Sequence, residues 1–120
     1  MSFDSTVTLK NAAAANVSML RLAADLVKSK YIDSASALST PRTMEITHTA
    51  SASPNGVDRH LLKFQKVALD TLSKPQTLTM NVTLTVPRQG IVRADVDDLI
   101  AMNKEFWTTG NVDKILRNEI

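Results

Sequence analysis

The sequence predicts an α+β fold in which an antiparallel sheet is followed by two helices. Three observations predict it. From Thr77 to Val86 the chain alternates strictly, with Leu78, Met80, Val82, Leu84 and Val86 on one face and Thr77, Thr79, Asn81, Thr83 and Thr85 on the other. That is the period of a half-buried strand. From Asp95 the period becomes helical and places Val96, Leu99, Ile100, Asn103, Phe106 and Trp107 on one side. Between 43 and 69, two strand-like runs flank the turn signal Ser53-Pro54-Asn55-Gly56, where proline presets φ early and Asn-Gly accepts positive φ late. A sheet with one apolar face beside helices with one apolar stripe makes a layered domain.

Taken in order, Ser5 to Lys10 alternates Val7 and Leu9 against Thr6 and Thr8, a short first strand. Asn11 to Asn16 carries four alanines between asparagines, so helix propensity and turn chemistry compete there. Val17 to Val27 is open to two readings. Val17, Leu20 and Ala24 share a helical face, whereas Val17, Met19 and Leu22 suit a strand with a slip; propensity alone favours the helix. Lys28 to Asp33 reads as a polar, edge-like segment, and Ser34 to Thr40 as a loop. Thr43 to Ala50 sets Met44, Ile46, His48 and Ala50 against Glu45, Thr47 and Thr49.

In the run Val57 to Leu69, Leu62, Phe64 and Ala68 join the apolar face, leaving Arg59, Lys63 and Gln65 on the polar one beside Leu61 and Val67. Asp70 to Gln76 is a short loop. Pro87 and Gly90 stop the last strand. Asp95 is expected to cap the first helix, Gly110 to end it, and Asn111 to cap a second helix carrying Val112, Ile115 and Leu116.

Composition narrows the functional classes. At 120 residues the chain is long enough for one domain with a modest core. Aromatics supply only 4% of it, so the core is expected to be built from aliphatic residues and alanine. The balance of 14 Lys+Arg against 12 Asp+Glu gives +2, too weak by itself to argue for nucleic acid. Without cysteine there is neither a disulfide framework nor a thiolate metal site. No apolar run reaches membrane-spanning length and no signal-peptide pattern opens the chain, so it is expected to stay where it is translated.

Candidates for catalysis are thin. Each of the two histidines, His48 and His60, is expected to be structural. Asp95, Asp97 and Asp98 read as helix N-terminal charge rather than a metal site. The three glycines are isolated at turns, so no phosphate loop exists. Phe106 and Trp107 continue the helical stripe after Leu99 and Ile100, a core position more often than a ligand pair. No enzyme, cofactor or metal is expected. The hydroxyl- and amide-rich sheet face with Arg59, Lys63 and Gln65 is suited to phosphate contacts and the splayed bases of an RNA loop, although it lacks aromatic stacking residues.

The runs Pro41 to His48, Asp58 to Lys63 and Thr77 to Pro87, followed by the helix and Val112 to Glu119, resemble the coat proteins of the small single-stranded-RNA bacteriophages of levivirus type. The resemblance covers most of the chain, best from about Pro41, and lies in the order of elements and in short motifs. It implies one coat-protein domain over 1–120, with an N-terminal β-hairpin (1–27), a five-stranded antiparallel sheet (28–87) and two C-terminal helices (94–119). On that template Val17 to Val27 is strand. It further implies an interlocked homodimer with a continuous sheet, the helices of each subunit crossing the partner's sheet, with Val96, Leu99, Ile100, Phe106, Trp107, Ile115 and Leu116 at the interface. The chain's own helices are too few to cover the whole apolar sheet face, which agrees.

Such dimers build an icosahedral T=3 shell, a virion assembled in the bacterial host cytoplasm, whose inner sheet face packages genomic RNA. The loop of Asp70, Thr71, Leu72, Ser73, Lys74, Pro75 and Gln76 corresponds to the one that makes contacts between dimers. The family's sheet also binds an RNA hairpin and represses translation. Carried over by position, Thr47, Thr49, Lys63 and Asn81 lie on that face; the reading from the residues adds Arg59, Gln65, Thr79 and Thr83. Thr79 stands where the best-studied members stack a base on tyrosine, Thr77 where they carry a basic residue, and Glu45 near a family lysine. The familiar hairpin specificity is therefore not implied, whereas general affinity for RNA phosphates needs only cations in the aggregate. The other readings are a small dimeric RNA-binding regulator without a shell, and a ligand-binding α+β enzyme domain, which would need converging polar groups in a cleft.

Overall fold

The computed structural model describes residues 4–119. Eight elements follow one another: β1 (Thr6–Lys10), β2 (Asn16–Ala24), β3 (Lys28–Asp33), β4 (Arg42–Thr49), β5 (Val57–Leu69), β6 (Pro75–Pro87), α1 (Arg93–Phe106) and α2 (Thr109–Leu116). They fall into two compact units, one running through Val86 and the other from Pro87.

The first unit is a single six-stranded sheet in the order β1-β2-β3-β4-β5-β6. The N-terminal hairpin is continuous with the rest, because β2 pairs directly onto β3. Side-chain groups fix three of the hairpin turns. Asn11 Oδ1 accepts from the N–H of Ala13 and Ala15 at 3.0 Å each, which decides 11–15 as a turn, with Ala14 at φ 60°. Asp25 Oδ1 accepts from Val27 and Lys28 at 2.8 Å each. Asp70 does the same between β5 and β6. Such Asx bonds satisfy turn amides that no ladder reaches.

Register assigns the faces, since residues directly opposite each other share one. Met19 pairs with Val7, Tyr31 with Met44, Met44 with Phe64 and Ile46 with Leu62. The buried core on this apolar face is Met19, Tyr31 and Met44, with Val7, Leu9, Val17, Ile46, Leu62 and Phe64 packed around it. Tyr31 is wholly buried, and its hydroxyl donates to the Asp4 carbonyl at 2.9 Å, so the polar end of the ring is satisfied.

Three expectations are corrected. The helix that propensity favours over 17–27 is absent: 16–24 is strand, with a bulge between Arg21 and Ala23 where the β2–β3 register shifts. Partners on both edges outweigh a propensity difference of tenths of a kcal/mol per residue. Lys28 to Asp33 is no edge; it lies between β2 and β4. Its inward positions are Ser29, Tyr31 and Asp33, so hydrophobicity does not mark them. Asp33 is buried with its carboxylate 3.4 Å from Arg42 Nε and accepting from the Ala35 N–H at 3.0 Å. The third correction shortens the loop Asp70 to Gln76, because Pro75 and Gln76 already belong to β6. Proline is tolerated at the first residue of a strand.

In the second unit the helix ends differ from expectation. The N-cap of α1 is Val92, not Asp95. Asp95 sits at the third helical position and its carboxylate reaches back to the Val92 N–H at 3.0 Å, half of a capping box. Trp107 is the C-cap of α1, with its indole N–H on Asn103 Oδ1 at 3.0 Å and its ring edge-on to Phe106. Thr108, not Asn111, caps α2 by accepting from the Asn111 N–H at 3.3 Å. Gly110 therefore lies inside the first turn of α2 rather than ending α1. No residue of either helix is buried in the single chain.

Candidate nucleic-acid interface

The face opposite the core gathers the predicted RNA-binding side chains. In the β4–β5 ladder Thr47 stands opposite Leu61, Thr49 opposite Arg59, Glu45 opposite Lys63 and Thr43 opposite Gln65. The Gln65 side-chain amide donates to Thr79 Oγ1 at 3.3 Å. That bond places the Thr79 row of β6 on the same side, and alternation brings Asn81 and Thr83 with it. Thr47, Thr49, Arg59, Lys63, Gln65, Thr79, Asn81 and Thr83 thus share one face across three neighbouring strands. Leu78, Met80, Val82, Leu84 and Val86 share the other.

Two cations were not legible in the sequence. Lys28 pairs with Thr47 in register and Lys30 with Glu45, so both join this face. Reading 28–33 as an edge concealed them; only the pairing of β3 with β4 places them. Glu45 is therefore surrounded by lysines, with Lys28 Nζ at 3.3 Å and Lys63 and Lys30 opposite it on either side. Ala23, Ala24, Asp25, Lys28, Lys30 and Glu45 line an open depression of about 230 Å³ beside the β2 bulge. The Thr47 hydroxyl is buried without a hydrogen-bond partner, a costly state that an incoming donor or acceptor would relieve.

The Asp70 turn is held from three directions. Its carboxylate accepts from the N–H of Leu72 at 2.8 Å and of Lys74 at 2.9 Å, and from the Gln76 amide at 3.0 Å, while Ser73 takes φ 59°. The Lys74 N–H first, then the Gln76 amide and the Leu72 N–H, hold the Asp70 carboxyl below its ordinary value of 3.8. A depressed folded value means the turn's stabilisation is complete above the ordinary carboxylate range and is lost as pH falls through the lower value. We therefore expect the Lys74 amide resonance to titrate with a midpoint below 3.8, and Asp70→Ala to remove the titration. A midpoint at or above that value would contradict the assignment.

The predicted dimer-interface residues belong to the helical unit. Leu99 is 61% exposed and Leu116 75%; Ile100, Phe106, Trp107 and Ile115 are also exposed and Val96 half-buried. Among the described residues no grouping of three His, Cys, Asp or Glu side chains could hold a metal ion, and no helix is long and apolar enough to cross a membrane.

No protein-family model matches the chain, and no curated protein matches it in sequence. Solved structures do match it in fold. The virus-like particle of Beihai levi-like virus 21 superposes with a TM-score of 0.78 at 8% identity, covering 98% of this chain and 95% of that one. That of bacteriophage AVE019 gives 0.77 at 9%, covering 96% and 94%. That of Wenzhou levi-like virus 1 gives 0.74 at 15%, covering 99% and 100%.

Proposed function

We propose that this chain, whose fold is that of the levi-like phage coat proteins, is itself a viral coat protein. It dimerises, assembles an icosahedral shell in the bacterial host cytoplasm, and packages single-stranded genomic RNA against the polar face of its sheet. Its work is structural rather than catalytic. The observation that carries this reading is coverage in both directions: the match spans 99% of this chain and 100% of a chain taken from a virus-like particle. The likeness is to a whole shell subunit, not to one shared motif.

Two further features support it. β6 is last in the sheet order, so its outer edge is available to the same strand of a second copy. In the helical stripe Leu99, Ile100, Phe106, Trp107, Ile115 and Leu116 are exposed and Val96 is half-buried in the single chain, and a partner's apolar sheet face would bury them. In this reading the two compact units act together as one coat-protein domain, and the Asp70 turn makes contacts between dimers. Arg59, Lys63, Lys28 and Lys30 supply the cations for phosphate, and the hydroxyls and amides of Thr47, Thr49, Gln65, Thr79, Asn81 and Thr83 supply hydrogen bonds.

The test is to express the chain alone and examine it by size exclusion, negative-stain microscopy and the 260/280 nm absorbance ratio. Uniform spheres in the void volume with nucleic-acid absorbance are expected. A discrete dimer with protein-only absorbance would defeat the shell and leave a regulator using the same sheet. Leu99→Asp, which places a charge in the proposed helix–sheet contact, is expected to abolish both spheres and dimers; assembly undiminished in this variant would remove α1 from the interface.

A further inference from the structure

His48 and His60 stand directly opposite each other in the β4–β5 ladder, on the apolar face beside Ile46 and Leu62. Their Nδ1 atoms are 2.8 Å apart, and the rings meet edge to face with centroids 5.0 Å apart. Neither nitrogen reached that point by chance of a long side chain. Imidazole has two side-chain torsions, and the strand beneath is pinned on its far edge, where the His48 N–H donates to the Val27 carbonyl at 2.7 Å.

We propose that His48 and His60 form a two-histidine site, bridging β4 and β5, for a transition-metal dication of the zinc and copper class. In the metal-free pair one ring donates through Nδ1 and the other accepts. Moving the donor's proton to its Nε2 leaves both rings neutral and turns two lone pairs toward one point, with no net proton released. Two nitrogens on one tetrahedral zinc, each about 2.0–2.1 Å from it, lie about 3.3 Å apart. The rings must therefore separate by about half an ångström, within the reach of small χ rotations.

Imidazole donors select zinc, copper and nickel over magnesium and calcium. Asp58 occupies the same face one position along from His60, but its carboxylate is engaged by the Ser51 N–H at 3.2 Å, and no third ligand stands with the pair among the described residues. Water completes the coordination. The metal would join the strands at the end that carries the Ser51 to Gly56 turn. This site does not depend on the coat-protein reading.

The experiment uses the full chain in the assembly it forms, stripped with chelator and titrated calorimetrically with zinc chloride, alongside His48→Gln and His60→Gln. Circular dichroism first establishes that each variant keeps the sheet. One zinc per chain is expected, with affinity reduced at least tenfold in either variant. Zinc should raise the thermal midpoint of the parent chain only, because a ligand that binds the folded state alone stabilises it, and magnesium should do nothing. Absence of zinc binding by the parent chain, unchanged affinity in both variants, or loss in only one of them would each overturn the two-histidine site.

Discussion

Tyr31→Ala is expected to destabilise the sheet unit by about 3–5 kcal/mol, the range for truncating a large buried ring. Tyr31 is wholly buried on the third of six strands, opposite Arg21 on one side and Met44 on the other. Its ring contributes to a buried core that otherwise contains Met19 and Met44, with Phe64 among the half-buried residues around it, so truncation removes the largest buried side chain from the centre of the sheet. A loss of that size is a large share of the total stability of a small domain, about 5–15 kcal/mol. Tyr31→Phe keeps the ring and removes only the bond to the Asp4 carbonyl, which costs about 1 kcal/mol. Chemical denaturation of the three proteins side by side checks both values. Similar losses for alanine and phenylalanine would mean that the hydroxyl, not the packing, secures this position.

If the polar sheet face holds RNA as proposed, replacing Arg59 and Lys63 together by glutamine is expected to strip much of that RNA while leaving the fold intact. Both side chains lie on the polar sheet face, Arg59 opposite Thr49 and Lys63 opposite Glu45, away from the core, and surface changes of this kind alter stability by about 0.5 kcal/mol or less. Binding to single strands depends on salt with a log–log slope of about 0.7 per phosphate neutralised, so losing two contacts lowers the slope by about 1.4. Lys28→Gln with Lys30→Gln should lower it further by a comparable amount. The measurement is affinity for a generic single-stranded RNA across a salt series, with the absorbance ratio of purified particles beside it. An unchanged slope in the fourfold variant would take the RNA off this face.

The sheet's two faces could be read from the chain because β6 and β4 alternate without interruption and threonine supplies the outward positions. In β5 the pattern is mixed, with Leu61 and Val67 on the polar face, yet the parity of Leu62 and Phe64 still sets Arg59, Lys63 and Gln65 apart from them. What the chain concealed has a physical cause in each case. β3 buries Tyr31 and Asp33 and faces Lys28 and Lys30 outward, an alternation of polar with polar that no hydropathy period detects. β2 carries a bulge at Leu22 that breaks its own period, so helix and strand patterns overlap there. The helix ends were displaced because Val92 offers no side-chain oxygen; the capping group comes from Asp95, three residues inside. The histidines are twelve positions apart in the chain, and only the ladder shows that their nitrogens converge.

β6 also bears on the proposed pairing of two chains. From Thr77 to Val86 it carries no charged side chain and no proline, yet it is the terminal strand of the sheet. Edge strands usually protect themselves with lysine, proline or a twist away from neighbours, and an uncharged segment of high β-propensity is what amyloid-like stacking selects. An unpartnered copy is thus exposed to two competing fates, correct pairing and disordered stacking, both of which accelerate with concentration. In the proposed dimer, pairing needs two copies and stacking needs many, so the edge is safest where single subunits stay scarce and pair as soon as they meet.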